Sequence, residues 1–148
     1  MAFHFGFEAL YRLRQSLEHQ QELRLRTANQ QVAKVRRAVE QLNEQLDQLR
    51  RCSSQNLASG MTAAEMHFIL NGASCLVTRR QELEQLLARV CTLRDKQEKL
   101  FREARRERET LEILRDQQLR AYQQDQARRQ QRSLDDLFLL RRSHLLRG

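Results

Sequence analysis

The stretch that decides the fold is Leu25–Leu49, LRTANQQVAKVRRAVEQLNEQLDQL. Its apolar positions are Leu25, Ala28, Val32, Val35, Val39, Leu42, Leu46 and Leu49, separated by steps of 3, 4, 3, 4, 3, 4 and 3. Unbroken alternation of this kind lines one face of a helix and commits it to packing against another helix. Toward the start, Leu10, Leu13 and Leu17 keep the same spacing. The step of 8 from Leu17 through Gln21 to Leu25 then reads as a stutter that locally relaxes the supercoil.

A second seam begins near Leu76. Its first set of positions, seven apart, is Leu76, Leu83, Val90, Gln97, Ala104, Leu111 and Gln118. The companion set, three residues on, is read as Arg79, Leu86, Leu93, Leu100, Glu107, Leu114 and Ala121. Between the seams, Cys52-Ser53-Ser54-Gln55-Asn56-Leu57-Ala58-Ser59-Gly60 holds most of the turn-forming residues of the chain. Thr62-Ala63-Ala64-Glu65 follows, a capping box that starts a new helix, with Met61 and Met66 at the two positions of a hydrophobic staple. Asn71-Gly72 is placed to kink or interrupt that helix before the long second arm.

A short connection between two long helices favours an antiparallel hairpin. The expected fold is therefore all-α: a long antiparallel two-helix coiled-coil hairpin with a short helical or turn tip. It forms a single coiled-coil domain over 1–148, with arm one over about 5–52, the turn and short helix over about 53–72, and arm two over about 73–142. A reversal near residue 63 sets Leu49 opposite Leu76, Val32 opposite Leu93, Gln97 opposite Ala28, and Leu111–Leu114 opposite Leu13–Leu17. The dry stretches of both arms then coincide, as do the polar ones. Arm two outlasts arm one by some 20 residues, or ~30 Å of helix. This overhang is first polar and basic, then apolar at Leu134, Leu137, Phe138, Leu140 and Leu145, and nothing within the chain is left to cover it.

Composition agrees. Of 148 residues, 25 are Leu, 24 Arg and 19 Gln, against no Pro, no Trp and four Gly. A Gly-rich phosphate loop, a β-sandwich and a disulfide scaffold are excluded by this arithmetic. The start lacks a basic n-region, and the longest apolar run, Leu137–Leu140, is far short of the ~20 residues that span a bilayer. A cytosolic protein is expected, with Cys52, Cys75 and Cys91 as reduced thiols.

No catalytic, cofactor-binding or metal-binding constellation stands out. Glu107, Glu112 and Asp116 lie among arginines on a solvated surface, and His67 has no ligand partners at metal spacing. The chain is not expected to be an enzyme. The net charge of +8 invites a nucleic-acid reading, but acids interleave the arginines: from Arg102 to Gly148 there are 12 Arg against 8 acids. That mixture suits a solvated coiled-coil flank better than a phosphate-binding stripe. Three regions stand out as interaction surfaces: the tip with Met61, Met66, Phe68, Ile69 and Leu70; the N-terminal Phe3, Phe5 and Phe7; and the overhang from Leu134 to Leu140.

The Phe-x-Phe start running into Leu10-x-x-Leu13-Arg14, the hairpin length, and the late Arg129-Gln130-Gln131-Arg132-Ser133-Leu134-Asp135-Asp136-Leu137 resemble the flagellar export protein FliJ family, relatives of the YscO-type injectisome stalk proteins. The resemblance covers essentially the whole chain. Asp136 replaces a glutamate common in the family, and the Asn71-Gly72 pair departs from its hairpin. The resemblance implies a coiled coil, similar to the central stalk of rotary ATPases, that inserts its paired termini into the export ATPase hexamer and promotes the assembly and activity of the ring. Its other end would reach the export gate membrane protein, and it would also handle export chaperones. Carried onto this chain, ATPase-ring contacts would fall on Leu10, Leu13, Arg14, Leu134, Asp135, Asp136 and Leu137, and gate contacts on the tip at Met66, Phe68, Ile69, Leu70 and Leu76. No cofactor or small-molecule substrate is implied, and the location would be cytoplasmic, at the periphery of the inner-membrane export apparatus. An injectisome stalk and a basic scaffold or nucleic-acid-binding coiled coil are the alternative readings.

Overall fold

A computed structural model describes residues 2–148. Two helices, α1 (Glu8–Ser59) and α2 (Ala63–Arg147), account for 93% of the chain and pack against each other as an all-α hairpin, with no strand among the described residues. The expected architecture is the one found; its details differ in three places.

The first is the turn. Cys52–Ser59 is helical, and the chain reverses within Gly60–Thr62. The polar residues of the expected loop instead satisfy the last turns of α1: Ser54 Oγ donates to the Arg51 carbonyl at 2.8 Å, and Ser59 Oγ to that of Asn56 at 3.1 Å. Gly60 ends the helix with φ of +88°, a left-handed conformation that stops the helical ladder and that only glycine adopts without cost. The capping box then restarts it. Glu65 N donates to Thr62 Oγ1 at 3.3 Å, while Thr62 N donates to the Glu65 carboxylate at 3.1 Å. Met61 and Met66 are both half-buried, as a staple requires. No break separates a short helix from arm two: α2 runs through Asn71-Gly72, whose glycine has no positive φ. Eighty-five residues of helix absorb the roughly 1 kcal/mol glycine penalty.

The second difference is the seam of α2. The hairpin divides into two compact units, His19–Arg102 and Met1–Glu18 with Glu103–Gly148. In the first, Val32, Leu46 and Leu83 are buried, and Leu25, Ala28, Val35, Val39, Leu42 and Leu49 are half-buried, so the α1 seam runs where its spacing put it. On α2 the inward positions are Leu76, Arg80, Leu83, Leu87, Val90, Arg94, Gln97 and Phe101. The companion set is four residues on, not three; Arg79, Leu86, Leu93 and Leu100 are exposed. Because Leu86 adjoins Leu87 and Leu100 adjoins Phe101, apolarity alone permits both registers. Gln97 donates to the side chain of Gln21 and, at 3.4 Å, to its carbonyl. Leu49 shares a cleft with Ile69, Leu70 and Ala73 instead of facing Leu76, because the reversal lies closer to Gly60 than to residue 63.

The third concerns the start of α1. In the unit holding both termini, Tyr11 is buried and Arg14 and Glu18 are half-buried, whereas Leu10 and Leu13 are exposed. Tyr11, Arg14, Glu18, Gln21 and Leu25 keep steps of 3, 4, 3 and 4, so the spacing needs no stutter. It simply passes through polar residues, which the leucines flanking it disguise. Polar residues at seam positions fix register at a cost in stability, and each here meets a chosen counterpart.

Candidate functional site

At the paired termini, the residues before α1 cap it and hold it to α2. Phe5 is buried, with its ring 5.9 Å from that of Phe7, and the Phe3 ring lies 5.6 Å from that of Tyr122. The Arg115 guanidinium stands over the Tyr11 ring at 5.4 Å and within 3.9 Å of the Glu8 carboxylate. Arg14 pairs with Glu107, and Arg108 donates to both Glu18 and Glu112. Burial lowers the pKa of Arg108, but the hydrogen bonds and charges of Glu18 and Glu112 outweigh it and hold the guanidinium above its ordinary value. It is a fixed cation in a seam position: Glu18 of α1 locks the register across the hairpin, and Glu112, one turn on along α2 itself, steadies the guanidinium.

Around this lock the residues assigned to the ATPase ring divide. Leu10 and Leu13 face solvent beside Tyr11, and Arg14 is occupied by Glu107. Leu134, Asp135, Asp136 and Leu137 are exposed on α2, as is every residue from Ala127 to Gly148. Leu134 stands about 18 Å along the helix beyond Tyr122, at 1.5 Å per residue. The structure therefore does not bring the α1 and α2 groups into one patch. The apolar C-terminal stretch includes Phe138, Leu139, Leu140, Leu145 and Leu146, and its exposure of 60–78% leaves several large side chains bare on a single helix.

At the other end of α1, Met66, Ile69 and Leu76 are half-buried, while Phe68 is 81% exposed and Leu70 also faces solvent. Phe68 and Ile69 line a shallow cleft of about 650 Å³ with Asn56, Ser59, Gly60, Met61, Ala64 and Glu65. Exposed Leu57 joins this tip. Sequence reasoning missed it because it lay in a stretch read as loop; a helix continued to Ser59 would have shown it on the surface. Among the described residues, no group of three His, Cys, Asp or Glu is placed to hold a metal ion, and no helix is long and apolar enough to cross a membrane. Cys52, Cys75 and Cys91 are free thiols.

A family model described as flagellar FliJ protein matches residues 3–144. The chain belongs to the FliJ family. It is thereby a component of flagellum biogenesis and flagellar protein export. No curated protein and no solved structure matches it. The matched residues take in both termini of this FliJ-family chain, the regions that carried the resemblance in sequence, and also the tip.

Proposed function

We propose that this FliJ-family chain is a central-stalk-like coiled coil of the flagellar export apparatus, non-catalytic itself, which inserts its terminal end into the export ATPase hexamer and promotes the assembly and activity of the ring. The observation that carries the reading is the bare apolar stretch from Leu134 to Leu146. Burying a leucine side chain contributes about 1.5–3 kcal/mol, so several of them on an uncovered helix supply ample drive for docking into a ring. Leu134, Asp135, Asp136 and Leu137 make the principal contact, and Leu10, Leu13 and Arg14 make a second, separate one where the hairpin begins. The tip residues Met66, Phe68, Ile69, Leu70 and Leu76 face the export gate membrane protein, so that one chain couples ATPase and gate. Export chaperones are a third class of partner, and the chain works in the cytoplasm at the periphery of the inner-membrane apparatus.

The test is a binding and ATP-hydrolysis assay with the cognate export ATPase. The full chain should bind and stimulate turnover, and the double substitution Leu134→Asp/Leu137→Asp should weaken binding at least tenfold with an unchanged helical melt. Phe68→Asp should leave stimulation intact while reducing binding to the gate protein. A full chain that neither binds nor stimulates, or a double variant as active as the wild type, would refute the assignment.

A further inference from the structure

The register of α2 has a consequence for the unit His19–Arg102. Its four-residue companion spacing leaves Leu86, Leu93 and Leu100 outside the seam, at 41%, 58% and 47% exposure, in a row seven residues apart. They span about 21 Å of helix. On the same side, α1 contributes exposed Leu23, and Leu23, Arg24, Thr27, Ala28 and Gln31 line one groove with Leu93 and Gln97. In an antiparallel pair the positions flanking the seam meet like with like, so each side of the hairpin is one continuous face. The α2 side of this face is the apolar row Leu86, Leu93 and Leu100, to which α1 adds Leu23 and Ala28 among polar neighbours.

Its charge is one-sided as well. On the two helical rows that border the groove, from residue 20 to 48 of α1 and 79 to 100 of α2, the cations are Arg24, Lys34, Arg79, Arg89 and Lys96, and Glu82 is the one acid. Glu82 is held by Arg79 at 3.1 Å. The opposite face carries Glu22, Glu40, Asp47, Glu84, Asp95 and Glu98, mixed with arginines; the remaining acid of these segments, Glu44, lies on the outer row of α1 that also carries Leu23 and Arg37. Such segregation is not needed to solubilise a coiled coil, for which interspersed signs serve better.

We propose that the Leu86–Leu93–Leu100 groove is a docking site for an acidic amphipathic helix of a partner protein, which lays its apolar stripe between α1 and α2 and sets its carboxylates against Arg24, Lys34, Arg89 and Lys96. Helix-in-groove recognition requires this pairing of an apolar floor with a charged rim. A second copy of the chain would press the same cations against one another, and like charges across an interface are disfavoured. A nucleic acid would make no use of three leucines and would want stacking aromatics, which the groove lacks. The site uses none of the residues assigned to the terminal and tip contacts and does not depend on the stalk reading.

Three fluorescein-labelled 21-residue synthetic helices test it by anisotropy titration with the full chain. One carries leucines at alternating three- and four-residue spacing with glutamate flanks; the second has lysine flanks; the third keeps the glutamates but has glutamine in place of leucine. The first should bind at least tenfold more tightly than either control. Leu93→Gln and Arg89→Glu/Lys96→Glu should each weaken it at least tenfold without moving the thermal melt, since these side chains are exposed. No binding of the first peptide, equal binding of the glutamine control, or a concentration-dependent dimer in sedimentation that Leu93→Gln abolishes would each overturn the proposal.

Discussion

Gly60 and Gly72 lie 12 residues apart and should respond to the same substitution with opposite signs. Gly60 holds φ of +88° at the C-terminal end of α1. An added Cβ meets no atom within 4 Å there, so the cost of Gly60→Ala is conformational alone. Placing an L-residue in the left-handed region costs about 1–2 kcal/mol. Loss of freedom in the unfolded chain returns about 0.4–1 kcal/mol, leaving a net destabilisation of about 1 kcal/mol. Gly72 lies inside α2, also with open space around it and without positive φ. There Gly72→Ala removes a helix penalty and should stabilise by about 0.8–1 kcal/mol. At 2–4 °C per kcal/mol for a chain of this size, the two variants should melt roughly 4–8 °C apart by circular dichroism at 222 nm, on either side of the wild type. Equal shifts would refute the reasoning. A destabilising Gly72→Ala would mean that α2 breaks at Asn71-Gly72 and that the reversal is wider than Gly60–Thr62.

Two further substitution pairs probe the seam. Leu83 is buried in it and Leu93 is exposed beside it, so Leu83→Ala should cost about 2 kcal/mol in urea denaturation and Leu93→Ala less than about 0.5 kcal/mol; similar costs would restore the three-residue companion spacing. Arg108 and Glu18 are 19% and 18% exposed. Glu18→Ala strands part of the Arg108 charge and should destabilise by about 1–2 kcal/mol, whereas Arg108→Leu should be neutral or stabilising, with refolding yield and helicity read alongside the urea midpoint.

The parts of this fold that were legible in sequence are those written in local chemistry. Thr62 and Glu65 close their capping box within one turn, with no need of a partner helix. The α1 seam from Leu25 to Leu49 was legible because every inward residue is apolar. Legibility failed where apolarity and position part company. Tyr11, Arg14, Glu18 and Gln21 occupy the seam while Leu10 and Leu13 flank it, and Arg94 turns inward beside exposed Leu93. Such choices depend on what the opposite helix offers, as Glu18 does for Arg108, and a pairing over 90 residues leaves no local trace. The serines of Cys52–Ser59 read as loop because their hydroxyls suit turns, yet two of them bond back to carbonyls of their own helix. The uncovered C-terminal leucines were legible for the converse reason: arm one is too short to reach them, and that is a matter of counting.

The most direct test of the stalk is the stoichiometry of its complex with the export ATPase. A two-helix hairpin is about 20 Å across, at roughly 10 Å per helix, and has no sixfold symmetry to match a hexamer, so a ring that takes it centrally takes one. Native mass spectrometry of the reconstituted complex should show one chain per six ATPase subunits, lost on Leu134→Asp/Leu137→Asp. One chain bound to each subunit, or no complex at all, would contradict the account.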